Sequence, residues 1–104
     1  MNEETTYKLF KLIEANPELS QRDLAKNMNV SLGKVNYCLR ALKEKGLVKV
    51  QNFKNNPNKR GYIYVLTPKG VNERMRVTAR FLKNKLNEYE KLKKEIEQLQ
   101  QETD

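Results

Sequence analysis

The apolar positions at the start of the chain recur with helical spacing. They are Leu9, Phe10, Leu12 and Ile13. Residues three and four apart lie on the same face of a helix, so this pattern predicts a first helix over about residues 4–15. Pro17 cannot continue a helix, and it follows shortly after the last of these positions. We therefore expect the first helix to end before Pro17.

Two N-capping patterns follow in quick succession. Ser20 with Asp23 three residues later has the spacing of a capping box, which predicts a second helix over about residues 20–28. Ser31 is the next candidate cap and begins a third helix that ends at Gly46. Two helices joined by so short a turn form a helix-turn-helix. Its second helix, residues 31–45, is the candidate reader of DNA.

After Gly46 the helical spacing gives way to β-branched and aromatic residues. Residues 47–53 and 62–66 predict two strands. The segment between them, residues 54–61, has the composition of a turn and contains three basic residues and no acidic one. We interpret this segment, called the basic loop below, as the tip of a β-hairpin. It corresponds to the wing of a winged helix.

A long helix is predicted for the rest of the chain. Thr67 as N-cap and Pro68 at the first helical position begin it, and no helix-breaking residue follows Gly70. Seam positions then alternate by four and three residues: Val71, Met75, Thr78, Leu82, Lys85, Tyr89, Leu92, Ile96 and Leu99. Seven of these nine are apolar. This is the heptad pattern of a coiled coil.

The heptad pattern predicts dimerisation through the C-terminal helix. We expect the contact to be made by Leu82, Tyr89, Leu92, Ile96 and Leu99. Glu88 and Lys93 occupy flanking positions that can meet across a parallel pair. Phe81 and Leu86 widen the apolar stripe near its start, where the helix is expected to pack against the globular part as well. The alternative is a helix that folds back on its own domain.

The fold class predicted from these elements is mainly α with a small β-hairpin. Residues 1–66 form a winged helix-turn-helix domain, and residues 67–104 form a long C-terminal coiled-coil helix for dimerisation. At 104 residues the chain is long enough for one modest core with such an appendage.

The net charge of +8 is distributed unevenly. Residues 31–66 carry eight basic side chains and one acidic side chain, a net charge of +7, whereas residues 1–30 have −1 and residues 67–104 have +2. A positive patch so concentrated is typical of a surface that binds a polyanion such as DNA. The alternative is a basic face that is merely solvated.

Several function classes are excluded by composition. Cys38 is the only cysteine and the chain has no histidine, so an internal disulfide, the usual zinc sites and histidine-based acid–base catalysis are excluded. No pair of carboxylates has a catalytic spacing, and we expect no enzyme, metal site or cofactor. The apolar runs are too short for a bilayer and the N-terminus has no signal-sequence pattern. We therefore expect a cytoplasmic protein with no membrane partner.

The third helix has one apolar and one polar face. The apolar face consists of Val35, Cys38, Leu39 and Leu42, and the opposite face carries Gly33, Tyr37, Arg40 and Ala41, with Lys34 and Asn36 at its edges. Arginine can pair with guanine and asparagine with adenine, and glycine lets the backbone approach the groove floor. The first turn holds Gly33 and Lys34 but no acid, against the preference of helix N-termini. A DNA phosphate there explains both residues, and the alternative is chance on a tolerant surface.

A set of short motifs lies between Asp23 and Gly70. They are Asp23-Leu24-Ala25, Val30-Ser31, Leu39 to Leu42, Lys45-Gly46-Leu47-Val48, Lys59-Arg60 and Leu66-Thr67-Pro68-Lys69-Gly70. Together these motifs, which span about half of the chain, resemble those of the MarR-type winged-helix transcriptional regulators. The resemblance implies that major-groove or phosphate contacts are made by Ser31, Lys34, Asn36, Tyr37 and Arg40. It also implies that Arg60 enters the minor groove.

Full-length members of that family have further N-terminal helices, which build the dimer and enclose an effector pocket. This chain starts close to its DNA-binding unit, so we expect no small-molecule effector. The short layout is similar to the MarR-like regulators associated with exopolysaccharide gene clusters.

The sequence therefore predicts a homodimeric regulator that binds double-stranded DNA sequence-specifically. The recognition helix, residues 31–45, lies in the major groove, and the basic loop with Lys59 and Arg60 lies at the minor groove. The alternative is a winged-helix interaction module that recruits a protein partner through its coiled coil.

Overall fold

The computed structural model describes residues 2–52 and 62–104. Its elements are, in order, α1 (Glu3–Ala15), α2 (Gln21–Met28), α3 (Leu32–Glu44), β1 (Val48–Asn52), β2 (Tyr62–Leu66) and α4 (Pro68–Thr103). The predicted fold class, mainly α with a small hairpin and a long C-terminal helix, is confirmed. The basic loop, with Lys59 and Arg60, lies outside the described residues.

The first three helices begin at caps that the local sequence provides. Asn2 accepts a hydrogen bond through Oδ1 from the backbone N–H of Thr5 (2.7 Å). Ser20 and Asp23 form the predicted capping box, in which each side chain accepts from the other residue's backbone N–H. Ser31 caps α3 with a single bond, which its Oγ accepts from the backbone N–H of Lys34. Caps of this kind stabilise a protein by about 1 kcal/mol each, so these residues determine where the helices begin.

The core lies between the apolar faces of the first three helices. The buried apolar residues are Leu9, Phe10, Ile13, Leu24, Ala25, Met28, Val35, Cys38, Leu39, Leu42, Leu47, Val48 and Val77. The four positions predicted for the apolar face of α3 are all among them, so that prediction is confirmed. The helix-turn-helix is therefore oriented by burial, with its opposite face left to solvent.

The two strands form an antiparallel hairpin that packs against the helices. Val48 pairs with Leu66, and Val50 pairs with Tyr64. The backbone N–H of Tyr64 also donates to the carbonyl oxygen of Pro17 in the connection between α1 and α2 (3.2 Å). Strand β1 thus follows α3 directly along the chain, and this hydrogen bond connects β2 to the segment that follows α1.

The start of α4 docks on the turn that ends α3. The backbone N–H of Thr67 donates to the carbonyl oxygen of Leu47 (3.0 Å), and its Oγ1 donates to the carbonyl oxygen of Gly46 (2.6 Å). Gly70 lies directly against the backbone of Leu47, where a Cβ would clash with the carbonyl group. Gly46 has a φ of 72°, which favours glycine. We call this contact the α4 joint. It gives the Leu-Thr-Pro-Lys-Gly motif a structural role.

The first part of α4 packs along α1. Val77 is buried in the core, and the ring of Phe81 stacks on Tyr7 with 4.9 Å between ring centroids. Ion pairs flank this contact: Arg74 with Glu14 (2.8 Å), Arg80 with Glu3 (3.1 Å) and Arg80 with Glu73 (3.2 Å). The expected packing against the globular part is confirmed for Phe81, whereas Leu86, named with it, is 55% exposed in the single chain. The division into domains at residue 66 stays a prediction.

Gly70→Ala should destabilise the protein by about 2 kcal/mol, because the added Cβ meets the carbonyl group of Leu47 and α4 or the turn must shift. Gly33→Ala is the matched control, since no atom lies within 4 Å of its added Cβ. It should stabilise the protein by about 0.5 kcal/mol through helix propensity. Urea unfolding followed by circular dichroism measures both changes. Equal midpoints for the two variants would contradict a tight α4 joint.

Candidate nucleic-acid interface

The solvent-facing side of α3 is the candidate reading face. Gly33, Lys34, Tyr37 and Arg40 are all exposed, and Tyr37 is 68% exposed. Positions 33, 37 and 40 lie on one side of the helix, opposite the buried positions that hold it against α2. These four residues, which the sequence predicts to contact DNA, therefore lie together on the exposed side of α3.

The positive charge of α3 is not neutralised by neighbouring side chains. Lys34, Arg40 and Lys43 form no ion pair with any residue in the described ranges. The first turn of the helix holds no acidic residue. On the α1 and α4 surface, by contrast, arginines are paired with glutamates. The α3 face thus carries uncompensated charge of the sign that attracts a polyanion.

The N-terminus of α3 is favourable for an anion. Ser31 accepts through Oγ from the backbone N–H of Lys34 (3.1 Å), which leaves the hydroxyl hydrogen free to donate outward. The backbone N–H groups of the first turn carry partial positive charge, and Lys34 adds a full charge beside them. The arrangement can accept an anionic group such as a phosphate.

Asn36 is placed at the edge of the reading face, as expected, but part of its side chain is occupied within the protein. It is half-buried, and its Nδ2 donates to Oε1 of Gln21 (3.2 Å). Gln21 in turn donates through Nε2 to the phenolic oxygen of Tyr64 (3.1 Å). The sequence analysis did not single out Gln21. No local signal identifies this contact, because it depends on how α2 crosses α3.

Leu32 is a second residue that sequence reasoning missed. It is the first residue of α3, one turn before Asn36, and it remains 43% exposed. An apolar side chain at the mouth of a reading face can contact the methyl group of thymine. Its spacing of three residues from Val35 and seven from Leu39 places it at the edge of the apolar face, so helical periodicity alone does not mark it as exposed.

The buried face of α3 includes the single cysteine. Cys38 is 2% exposed and belongs to the core. Burial raises the pKa of the Cys38 thiol, and the positive charge of nearby Lys34 lowers it only in part. The thiol therefore stays protonated at neutral pH and acts as a small apolar residue beneath the reading face.

The residues predicted for dimerisation share one solvent-facing stripe of α4. The exposed fractions are 58% for Leu82, 59% for Tyr89, 55% for Leu92, 46% for Ile96 and 52% for Leu99. Every residue from 82 to 104 is exposed in the single chain. Residues 85–103 form about 28 Å of helix that extends beyond the packed region, at 1.5 Å per residue.

Lys85, the charged residue of the seam, is held by its own helix. Its Nζ pairs with Glu88 (3.3 Å) and lies 5.2 Å from the centre of the Phe81 ring. Its charge therefore lies between the Glu88 carboxylate and the Phe81 ring, near the start of the stripe.

The described part of the chain was also searched for metal sites and for membrane-spanning helices. Within residues 2–52 and 62–104, no cluster of acidic, cysteine or histidine side chains has the arrangement of a metal site. None of the helices there combines the length and apolar character that crossing a membrane requires.

A family of known proteins matches the part of the chain that contains the helix-turn-helix. Residues 2–49 match the family described as winged helix-turn-helix DNA-binding. The matched segment includes α1, α2 and α3 and ends within β1. A search among curated proteins found no match.

Solved structures of transcriptional regulators share the fold. The regulator BldR from Sulfolobus solfataricus superposes with a TM-score of 0.66 at 25% identity, over 82% of this chain and 58% of BldR. PcaV from Streptomyces coelicolor gives 0.64 at 19% identity, over 76% and 57%. A cysteine-to-serine variant of MarR from E. coli, in complex with operator DNA, gives 0.57 at 26% identity, over 69% and 50%.

This chain spans less than two thirds of the length of each of these proteins. A regulator of the MarR family from Rhodococcus shares the fold as well, with a TM-score of 0.59. The capped helix-turn-helix, the hairpin and the long C-terminal helix occur here in the same order as the sequence motifs predicted. The chain therefore has the winged helix-turn-helix fold of these regulators, which fits the resemblance of its motifs to the MarR-type regulators.

Proposed function

We propose that this protein is a homodimeric regulator of transcription that binds double-stranded DNA sequence-specifically. The observation that carries the proposal is the exposed face of α3, whose Lys34 and Arg40 have no acidic partner among the described residues. The E. coli MarR structure contains operator DNA, and the structure of the repressor CouR contains a 23-mer DNA duplex. Both support a duplex as the ligand.

The exposed residues of α3 divide into two roles in this proposal. Arg40 and Asn36 read base edges in the major groove, where arginine pairs with guanine and asparagine with adenine. Ser31 and Lys34 hold phosphate at the helix N-terminus, and Tyr37 borders the groove beside them. Gly33 allows the backbone to approach the groove floor, since no side chain stands there.

The basic loop has a supporting role in the proposal. Lys59 and Arg60 contact phosphates and the minor groove, whose pattern of donors and acceptors distinguishes base pairs poorly. The two residues therefore add affinity for many sequences rather than preference for one.

A second copy of the chain covers the apolar stripe of α4. Packing on α1 ends near Phe81, so the heptads beyond it have no neighbour within the described chain. A lone helix with such a stripe is marginal in water, and a heptad pattern buries it most simply against a copy of itself. The cytoplasmic location and the absence of a small-molecule effector stay predictions.

Arg40→Ala should relax base preference at one or two base pairs per half-site. Each lost bidentate contact removes about 1–3 kcal/mol of discrimination. Selection from a random duplex library with the wild type identifies the preferred site, and fluorescence anisotropy then measures affinity for that site and for its single-base variants. A wild type that binds all duplexes alike would contradict the proposal and favour the interaction module. Equal weakening of all sequences by Arg40→Ala would place the reading element elsewhere.

Lys59→Ala is the matched test of the basic loop. It should weaken binding to preferred and randomised duplexes by the same factor, because a phosphate contact carries no base identity. The slope of log affinity against log salt should become shallower by about 2, since a dimer loses two phosphate contacts. Selective loss of discrimination in this variant, with an unchanged slope, would show that the loop reads bases.

Leu92→Glu should convert the dimer to a monomer, because it places a charge at the centre of the apolar stripe. Lys94→Glu is the control, since residue 94 lies off the stripe on the same helical turn. Sedimentation at micromolar concentration measures the mass of each form. Dimers of equal stability for both variants would place the interface outside these heptads.

A further inference from the structure

A relay of three side chains connects the recognition helix to the rest of the fold. Asn36 on α3 donates to Gln21, the first residue of α2, and Gln21 donates to Tyr64 on β2. All three groups are half-buried. The Gln21 amide is therefore bonded through its oxygen to Asn36 and through its nitrogen to Tyr64.

The first bond goes with one orientation of the Asn36 amide. An asparagine amide has two N–H hydrogens and one carbonyl oxygen, and its free rotation would let oxygen and nitrogen exchange places. In this structure one N–H of Asn36 is committed to the oxygen of Gln21 (3.2 Å). The second N–H and Oδ1 remain available, so one donor and one acceptor are presented in a fixed order.

A fixed donor and acceptor pair is what adenine requires. In the major groove adenine offers N7 as an acceptor beside its N6 amino group as a donor, and asparagine or glutamine pairs with both. An amide that rotates freely must lose that freedom on binding, whereas an amide already held in place does not. Positioning by a neighbour thus increases discrimination without any contact of that neighbour with the base.

We propose that Gln21 is a positioning residue for specificity, which orients Asn36 to read an adenine in each half-site of the DNA. The inference rests on the proposed function, because it assigns a base to the α3 face. Leu32 lies one turn before Asn36 and is exposed. A leucine there can contact the methyl group of a thymine next to that adenine.

Two substitutions at Gln21 separate the positioning role from simple loss of structure. Gln21→Met keeps the length of the side chain but can neither accept from Asn36 nor donate to Tyr64. Gln21→Glu offers acceptors only, so it still accepts from the Asn36 N–H, while Tyr64 can donate its hydroxyl hydrogen to it. Asn27→Met is the control on the same helix. Asn27 is exposed, and among the described residues its side chain bonds only to the carbonyl oxygen of Asp23 in its own helix.

The first measurement is made without DNA. In a ¹⁵N-labelled protein, the chemical shift of the Asn36 side-chain amide proton that is bonded to Gln21 reports on that hydrogen bond. Gln21→Met should move this proton upfield, and Asn27→Met should leave it unchanged. An unchanged shift of this proton in Gln21→Met would overturn the relay, whatever the DNA binding shows.

The second measurement is base preference at each position of the selected site. Asn36→Ala identifies the base pair that Asn36 reads. At that pair, Gln21→Met should lower the preference for adenine by about fivefold or more, Gln21→Glu should retain it, and Asn27→Met should match the wild type. Gln21→Glu should bind all sequences more weakly at low salt, because it adds negative charge near the phosphates. Arg40 and Lys43 line the same hollow as Gln21, so the preference at the pair read by Arg40 is followed in parallel.

The combined variant completes the test. Asn36→Ala with Gln21→Met should show the same preference at that pair as Asn36→Ala alone, because Gln21 acts through Asn36. Additive losses, or a Gln21→Met that weakens every sequence equally, would overturn the inference and leave the proposed function intact. Loss of the adenine preference in Gln21→Glu would overturn the assigned orientation of the amide. A wild type without any base preference, in which Gln21→Met still shifts the Asn36 amide proton, would contradict the proposed function itself.

Discussion

The close contact between Gly70 and the backbone of Leu47 is the constraint on which the rest of the molecule depends. It joins the longest helix to the turn that ends the recognition helix, and the hydrogen bonds of Thr67 to Gly46 and Leu47 close the same joint. Because backbone meets backbone there, the angle between the two helices has little freedom. The exposed face of α3 and the apolar stripe of α4 are thus parts of one rigid arrangement.

The elements predicted from the sequence are those whose causes are local. Ser20, Ser31 and Thr67 each accept from a backbone N–H three residues later, and this spacing is visible in the printed chain. The apolar face of α3 follows from helical periodicity alone. Pro17 and Gly46 mark two helix ends for reasons of backbone geometry. Signals of this kind act within one turn of chain, so no knowledge of packing is needed to read them.

What the sequence did not predict depends on contacts between distant segments. Gln21 meets Asn36 across 15 residues and Tyr64 across 43. Nothing near Gln21 indicates either partner, because the crossing of α2 over α3 and the docking of β2 bring them together. The stacking of Tyr7 on Phe81 is of the same kind. The packing of Phe81 could be expected from the width of the apolar stripe, but its partner could not.

The distribution of charge pairs distinguishes the contact between α1 and α4 from the exposed face of α3. Where α1 meets α4, Arg74 and Arg80 are matched by glutamates and add to a contact that apolar packing already makes. On α3 the basic residues have no acidic partner in the described chain. Their mutual repulsion therefore destabilises the folded state. A polyanion bound at that face would remove the repulsion. Because the α4 joint ties that face to the dimer stripe, pairing of two chains would also set the distance between the two recognition helices. The spacing of half-sites in the DNA would then follow from the geometry of α4 rather than from any residue that touches a base.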